Sequence, residues 1–386
     1  MIDFFRQQLK AKYETLNTIF IDKKKLLSNL SLLKKIHPQS DLIPVLKANA
    51  YGHGLKQVCK ILNKTSLKTV AVDSFPEAQI ALKYFKKNLL ILSEMPKETY
   101  GYCDLSKTEF CIYNEITLKY LALKYGKKIK IHLFFNTGMN REGIKEAKTY
   151  IEKNIKYLNE VSLVGACSHL LASESGSNNE INNKQENEFA QIVNILQSNG
   201  FKKLKTHLAN SGGIFTLKNK YSAYRSGISL YGYNILDKNH YNYKVANNLK
   251  ACLSLVSTIV SIQEIKANEN VSYSFSYKSK KPCLIAVIPF GYFEGLSRKL
   301  SNKSQLKIKA QGEEIWAKIV GSVCMNLTCL EVDIKYRDII KIGDKVEIIS
   351  CNKESRNSAK NLAKEEGTIV YETLSRLRDN IRRKVI

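Results

Sequence analysis

The feature that most constrains the fold is the alternation of short apolar runs with stretches of helical periodicity between residues 42 and 229. This alternation predicts parallel strands joined by crossover helices, and eight such units are the number that closes a (β/α)8 barrel. The predicted strands are Leu42–Leu46, Thr69–Val72, Leu89–Leu92, Glu109–Ile112, Ile129–Phe135, Ser162–Cys167, Lys205–Leu208 and Ala223–Ser229. The predicted helices include Leu55–Leu62, Ala78–Phe85, Ile116–Lys124, Ile144–Leu158 and Gln185–Leu196.

The pattern of apolar and polar residues changes after about residue 247. Alternating, β-branched segments follow, namely SLVSTIVSI, LIAVIPFGY, EIWAKIVGS and KVEIIS, and this pattern is typical of strands. We therefore predict an α/β fold in which a (β/α)8 barrel over residues 13–247 precedes a mostly β C-terminal domain over residues 248–386, with residues 1–12 able to pack on that domain. A chain of 386 residues is long enough for two such domains.

The composition is that of a globular protein, with 44% hydrophobic and 25% charged residues, but the formal net charge of +26 is high. A positive surface can attract nucleic acid or anionic membranes. The lysines are nevertheless scattered, and the 21 tyrosines form no stacking pattern with them. We predict no nucleic-acid partner, and a salt series of binding to generic DNA would test the alternative.

Nine cysteines, an odd number without a C-x-x-C pair, predict neither a disulfide framework nor a metal site. The first residues are too polar for a signal peptide, and no apolar run is long enough to span a bilayer. These features favour a cytoplasmic protein that does not insert into membranes.

The chemically useful side chains follow the predicted strands. Lys47 follows the first strand, Arg141 the fifth, His169 the sixth, and Asn210 with Ser211 the seventh. The C-terminal ends of barrel strands meet at one mouth, so we expect these side chains to lie close together. A lysine at a strand end is usually solvated; in a partly desolvated, cationic pocket a neutral lysine amine can condense with an aldehyde.

Six blocks of sequence carry a resemblance to a known family. The block VLKANAYGHGL surrounds Lys47, and the others follow in the same order as in that family. They are HLFFNTGMNREGI, GACSHLLAS, HLANSGGIF with YRSGISLYG, VSYSFSY with PFGYFEGLSR, and GSVCMNLT with GTIVYETLSRL. Together they resemble the alanine racemases, which are pyridoxal-phosphate (PLP)-dependent, barrel-type amino-acid racemases, over most of the chain.

The resemblance implies the catalytic residues. Lys47 would hold PLP as a Schiff base and act as one catalytic base, and Tyr273 would be the second base on the opposite face of the substrate. Racemisation removes a proton from one side of the α-carbon and delivers it to the other, so it needs two bases. Because the ordinary pKa of tyrosine is about 10, Tyr273 would depend on its neighbours, and His169 and Arg225 are expected to tune it.

The resemblance also implies the binding residues. Arg225 would contact the pyridine nitrogen, His169 would lie against the ring, and Arg141 would hold the PLP phenolic oxygen and the substrate carboxylate. The Met325 amide would bind that carboxylate, and Tyr292 would gate the site. The remaining cofactor-binding residues, chiefly at the phosphate, would be Tyr51, Asn210, Ser211, Gly227, Ile228 and Tyr371. In the family the second domain of one subunit completes the site of the other, which implies a homodimer with composite active sites.

The sequence departs from the family pattern at five positions. Phe134 stands where a lysine, often carbamylated, steadies the arginine, and Asn136 stands where the family has aspartate. We expect Arg141 to be positioned differently here, through Asn136 or a bound anion. Ser322 replaces an arginine, and Asn326 and Glu294 each replace an aspartate.

The motifs predict a racemase that interconverts L- and D-alanine and supplies D-alanine for peptidoglycan. Serine or a broader set of small amino acids is the alternative substrate range. A related decarboxylase of basic amino acids would place an acidic residue at the pyridine nitrogen, so Arg225 argues against it. A non-catalytic PLP-binding protein is generally a barrel alone, so the second domain and Tyr273 argue against that alternative.

Overall fold

The computed structural model describes residues 14–174, 180–217 and 221–386. The chain divides into two compact units, one formed by Asp22–Cys252 and the other by the strand Thr18–Ile21 together with Leu253–Ile386. The packing expected for residues 1–12 lies outside the described residues.

The first strand, β1 (Thr18–Ile21), belongs to the C-terminal unit rather than to the barrel. It pairs antiparallel with Leu253–Thr258 and parallel with Arg382–Val385. The barrel unit therefore begins at Asp22 and ends at Cys252, near the boundaries of 13 and 247 that the sequence suggested. The sequence of one short strand does not show which strands it pairs with. The sequence alone therefore could not assign β1 to the C-terminal unit.

The barrel unit has eight parallel strands in the order of the chain. Six of them form one hydrogen-bonded sheet, and the first and last pair with each other. The circle closes because Val45 bridges to Ala71 and because the Arg225 amide donates to the Ala209 carbonyl over 3.1 Å. The strands are β2 (Asp41–Pro44), β3 (Thr69–Val72), β4 (Asn88–Ile91), β5 (Thr108–Ile112), β6 (Lys130–Phe134), β7 (Ser162–Cys167), β8 (Lys205–His207) and β9 (Ala223–Ser226). Each of the eight predicted runs overlaps one of these strands, and the predicted fold class is confirmed.

The helices between the strands each bury one apolar stripe. In Leu55–Leu62 the buried residues include Leu55, Val58, Cys59 and Leu62, which share one helical face. Side-chain caps begin two of the helices: Asp22 accepts from the Lys25 amide and Asn114 from the Ile116 amide, which satisfies orphan amide groups. The helical segments are α1 (Lys23–Ile36), α2 (Lys47–Tyr51), α3 (Leu55–Leu62), α4 (Phe75–Tyr84), α5 (Glu115–Tyr125), α6 (Ala147–Glu160), α7 (Glu180–Ser198), α8 (Gly213–Thr216) and α9 (Tyr243–Ala246).

The interior of the barrel is apolar on one side. Side chains from successive strands meet in a single cluster that contains Ile43, Val45, Ala71, Leu90, Cys111, Phe134, Cys167 and Ala223. Inward-pointing side chains of parallel strands fill a small barrel in this way. The side of the interior near β8 is polar instead, and it is described with the site below.

Among the described residues, the C-terminal unit forms a nine-stranded sheet. Besides β1, its strands are β10 (Leu253–Thr258), β11 (Ser261–Ile265), β12 (Cys283–Ile288), β13 (Gln305–Ala310), β14 (Glu313–Val320), β15 (Thr328–Asp333), β16 (Lys345–Ile349) and β17 (Arg382–Val385). They lie in the order β11-β12-β15-β14-β13-β16-β10-β1-β17. Besides β1, three of its strands were not predicted, because QLKIKA, TCLEVD and RRKV each contain at most two β-branched residues, fewer than the segments that were identified as strands. Two helices, α10 (Ala359–Glu366) and α11 (Val370–Ser375), follow β16.

No helix among the described residues is both long enough and apolar enough to cross a bilayer.

Candidate active site

Lys47 begins a left-handed turn that follows β2. Four successive residues, Ala48 to Tyr51, have φ between 51° and 55°, a conformation that costs roughly 1–2 kcal/mol per non-glycine residue. Glu77 stabilises the turn, because its carboxylate accepts from the Ala48 amide (2.7 Å) and from the Asp73 amide (3.0 Å). Asp73 in turn lies 3.5 Å from Lys47 Nζ. The strained turn and these carboxylates fix where the lysine leaves the strand.

Five of the six residues predicted chiefly at the phosphate, all except Tyr371, lie in the barrel unit. Ser211 Oγ accepts from the amides of Gly227 (2.9 Å) and Ser229 (3.4 Å). A Cβ on Gly227 would lie 2.3 Å from the hydroxyl of Tyr51, so only glycine fits between these groups. Burial, followed by the charges of Asp73 and Glu77, raises the pKa of Tyr51. The hydroxyl therefore stays protonated and can donate to an anion.

Arg225 is buried in β9, with 4% of its surface exposed. Its Nη1 donates to the carbonyl of His207 (2.7 Å) and to the Nδ1 of that ring, and its Nη2 donates to the carbonyl of Ser168 (2.5 Å). The hydrogen bonds that we find among the described residues use Nη1 and Nη2, which leaves the Nε–H for another acceptor. Burial lowers the pKa of Arg225, but a guanidinium keeps its charge in proteins.

His169 is surrounded by cations. Burial, followed by the charges of Arg225, Arg141 and Lys47, lowers its pKa to about 3. Two weaker contacts orient the ring: Nδ1 lies 3.5 Å from Arg225 Nη2, and Nε2 lies 3.4 Å from the Asn210 amide nitrogen. The mouth therefore holds a neutral imidazole within a positive field, which attracts phosphate and carboxylate groups.

Arg141 is held by its own neighbour in the sequence. Its Nε and Nη2 donate to the two carboxylate oxygens of Glu142 over 2.8 and 2.7 Å, the bidentate geometry that suits a guanidinium. The expectation that Asn136 positions Arg141 is wrong, because Asn136 accepts from the amides of Gly138 and Asn140 and so orders the loop instead. Phe134 has no negative charge to pair with Arg141, and Glu142 supplies one.

The C-terminal unit brings together Tyr273, Tyr292 and Met325. The amide of Tyr292 donates to the carbonyl of Cys324 over 3.0 Å, and Ser272, next to Tyr273, donates its hydroxyl to the carbonyl of Ser322 over 2.9 Å. Tyr273 is 70% exposed, Tyr292 44% and Met325 56%. Large apolar side chains that cluster on a surface mark an interaction site.

Two of the departures from the family pattern contact each other. The side-chain amide of Asn326 donates to Glu294 over 2.7 Å, and Glu294 also accepts from the amide of Gly291. Ser322 lies beside Ser276, with 3.2 Å between the hydroxyl oxygens. Tyr371 is half-buried in α11, in the C-terminal unit and not in the barrel unit that holds Tyr51 and Ser211.

Comparisons with known proteins agree with this arrangement. The alanine racemase N-terminal domain family matches residues 21–235, and the alanine racemase C-terminal domain family matches residues 252–385. The chain belongs to the alanine racemase family. A relative named alanine racemase from Borreliella burgdorferi is 34% identical over 347 residues, which cover 86% of this chain and 88% of that protein.

Solved structures of alanine racemases share the fold. The enzyme from Clostridium difficile 630 superposes with a TM-score of 0.85 at 26% identity and covers 97% of each chain. The enzyme from Bartonella henselae, described with covalently bound pyridoxal phosphate, has a TM-score of 0.83 at 24% identity and covers 97% of this chain and all of that one. Membership of the alanine racemase family confirms the predicted racemase class and PLP as the cofactor.

The barrel mouth fits PLP. The phosphate needs hydrogen-bond donors, which the hydroxyls of Tyr51 and Ser211 and the amide of Ile228 can provide. The pyridine nitrogen needs a donor, which the Nε–H of Arg225 can provide. The aldehyde of PLP needs a primary amine with which to form a Schiff base. Lys47 carries such an amine, and its side chain is 41% exposed.

The structure adds four residues that the sequence analysis missed. Asp73 and Glu77 follow β3, Glu142 follows Arg141, and His207 lies beneath Arg225. Asp73 stands at a strand end, as Lys47 does, so the same rule could have found it; Glu77 lies in the first turn of α4, where that rule does not apply. Glu142 carried no signal, because a charged residue in a loop is usually solvated.

Proposed function

We propose that the protein interconverts L- and D-alanine with PLP, using Lys47 of one subunit and Tyr273 of the partner subunit as the two bases. The observation that carries this proposal is the convergence of Lys47, His169, Arg141 and Arg225 at one barrel mouth, in a chain of the alanine racemase family. PLP withdraws electrons from the substrate α-carbon when it is bound, which makes the α-proton labile.

The barrel residues bind and orient the substrate. Arg141 presents a guanidinium whose remaining N–H groups can bind the substrate carboxylate while Glu142 holds the other edge. With PLP bound, Arg225 would donate to the pyridine nitrogen and would keep that nitrogen unprotonated, since a guanidinium donates a hydrogen bond without giving up its proton. The weaker electron withdrawal of an unprotonated ring would disfavour reactions other than proton transfer at the α-carbon.

The proton is exchanged between two sides of the substrate. Lys47 Nζ holds or accepts it on the side of the barrel, next to Asp73. The phenol of Tyr273 of the partner subunit holds or accepts it on the other side. In one direction, one base removes the α-proton and the other delivers its own proton to the opposite face. The reverse reaction uses the same two groups with their roles exchanged.

The exposed side chains of the C-terminal unit support a homodimer with composite sites. Tyr273, Phe275, Tyr292 and Met325 present apolar surface on neighbouring loops. In a symmetric dimer each loop cluster covers one mouth of the partner subunit, and both sites form together. We also propose that the enzyme acts in the cytoplasm, where its nine free cysteines stay reduced, and that its D-alanine serves peptidoglycan synthesis.

A subunit-mixing experiment tests the composite site. Purified Lys47→Ala and Tyr273→Phe variants are each expected to be inactive in a D-amino-acid oxidase assay with L-alanine and L-serine. After unfolding and refolding together, half of the dimers are hybrids with one intact site, so the activity should recover to about a quarter of wild type. Failure to recover, with hybrids shown by mass spectrometry, would place both bases in one subunit. A wild type that forms no D-amino acid would refute the racemase itself.

A further inference from the structure

A chain of buried side chains runs through the barrel interior behind Arg225. The guanidinium contacts His207 Nδ1, and His207 Nε2 lies 2.9 Å from His132 Nδ1. His132 Nε2 lies 2.9 Å from Glu109 Oε2, which also accepts from Lys205 Nζ over 3.2 Å. Both imidazoles are fully buried, and Glu109 is 8% exposed. The reaction proposed above uses only the first member of this chain.

The fold makes room for the contact between the two histidines. His132 lies on β6 and His207 on β8, with β7 between them. The β7 residue in register with His132 is Gly165, and a Cβ at that position would lie 2.1 Å from His132 Nδ1. The two rings meet because the intervening strand has no side chain there.

The direction of every hydrogen bond follows from the first. Arg225 can only donate, so Nδ1 of His207 must be an acceptor and its proton must sit on Nε2. His207 therefore donates to Nδ1 of His132, which places the proton of His132 on Nε2 as well. That proton is donated to the carboxylate of Glu109, so both rings are neutral and have the same tautomer.

The electrostatics agree with this assignment. Burial, followed by the charge of Arg225, lowers the pKa of His207, and burial lowers that of His132 despite the nearby Glu109. Burial alone would raise the pKa of Glu109, but His132 and Lys205 outweigh it and lower this pKa to about 2. The chain thus has charges at Arg225, Glu109 and Lys205 and neutral rings between them.

We propose that Glu109 is a positioning residue that, through His132 and His207, holds Arg225 in the orientation needed at the pyridine nitrogen. The proposal rests on the role of Arg225 given under the proposed function. Without an acceptor beyond it, His132 can place its proton on Nδ1 and donate to His207. His207 would then carry a proton on the nitrogen that faces Arg225, two donors would oppose each other, and the guanidinium would turn away.

The tautomers of the wild-type enzyme provide the first test. Nitrogen NMR of the ¹⁵N-histidine-labelled protein, with and without PLP, reports which ring nitrogen carries the proton, and single His132→Gln and His207→Gln variants assign two of the six histidines. Two neutral rings protonated at Nε2 are expected. A His207 ring that carries protons on both nitrogens, or a neutral ring with its proton on Nδ1, would overturn the proposal without any variant at Glu109.

Three variants on β5 and β8 provide the second test. Glu109→Leu removes the acceptor, Glu109→Gln keeps an oxygen that can accept, and Lys205→Met removes only the outer cation. Thr108→Val is the matched control, because the neighbouring hydroxyl is buried without a hydrogen-bond partner among the described residues. Residues that orient another ligand of a cofactor typically contribute about 10–100-fold to activity.

Glu109→Leu is expected to lower kcat about 10–100-fold with a small change in KM, and to move the His207 proton to Nδ1 in the NMR spectrum. Glu109→Gln, Lys205→Met and Thr108→Val should keep the wild-type tautomers and most of kcat. Wild-type tautomers and kcat in a folded Glu109→Leu variant would overturn the proposal. An enzyme without racemase activity but with the expected tautomers would refute the proposed function and leave the hydrogen-bond chain intact.

Discussion

Replacing Gly165 with alanine is expected to destabilise the barrel unit strongly, although it adds one methyl group. Gly165 does not have a positive φ, so alanine introduces no backbone strain. The new Cβ would lie 2.1, 2.4 and 2.7 Å from three atoms of the His132 ring. Since ordinary carbon contacts begin near 3.4 Å, the ring must move by more than 1 Å, and its 2.9 Å bonds to His207 and Glu109 cannot both survive.

The magnitude follows from two effects. Overpacking of a core costs about 1–3 kcal/mol, and leaving a buried polar group without its partner costs about 1–3 kcal/mol. The smaller conformational entropy of alanine in the unfolded chain offsets about 0.5–1 kcal/mol. A net loss of about 1–5 kcal/mol is therefore expected for the barrel unit.

Guanidinium unfolding of the apoprotein, followed by far-ultraviolet circular dichroism, measures this loss. The fluorescence of the chain's one tryptophan, Trp316 in β14, follows the C-terminal unit and serves as an internal control. The double variant with His132→Ala removes the ring that clashes, so it should lose less stability than the sum of the single variants. An unfolding midpoint equal to wild type, or strictly additive losses, would refute the argument.

Three further predictions use the same structure. Glu142→Gln should raise KM for L-alanine about tenfold with little change in kcat, because its charge helps to hold Arg141; Lys145→Gln, also on an exposed side chain of this loop, is the control, and an unchanged KM would contradict the assignment. Gly227→Ala should weaken PLP binding to the apoprotein about tenfold or more, because its Cβ would displace Tyr51; fluorescence titration measures this, and wild-type affinity would contradict it. His132, His169 and His207 have lowered pKa values when folded, so the unfolded chain takes up more protons below about pH 6.5; thermal stability of the apoprotein should fall as the pH drops from 7 to 5, and a constant or rising Tm would contradict this.

The sequence predicted the barrel well where a strand is a continuous, largely buried apolar run, as in β3 and β4. β3 and β7 match their predicted ranges. β1 and β17 could not be predicted in the same way, since short strands take their identity from partners far away in the chain. The site was predicted where motifs or strand ends marked it, as at Lys47 and Arg225. It was missed where function depends on contacts across strands, as at Glu109 and His132, because spacing along the chain does not show which side chains meet inside a barrel.

The position of β1 has a consequence for how the protein can be made and divided. β1 lies between β10 and β17, so residues from both ends of the chain complete one sheet. During synthesis the sheet cannot be completed until Arg382–Val385 have left the ribosome. All strands of the barrel have left the ribosome before that point. A fragment covering residues 252–386 would expose the edge of β10, leave β17 without its partner, and be prone to aggregation through that open edge. A circular permutant that joins the two ends and opens the chain elsewhere would keep β1 and β17 in one continuous segment.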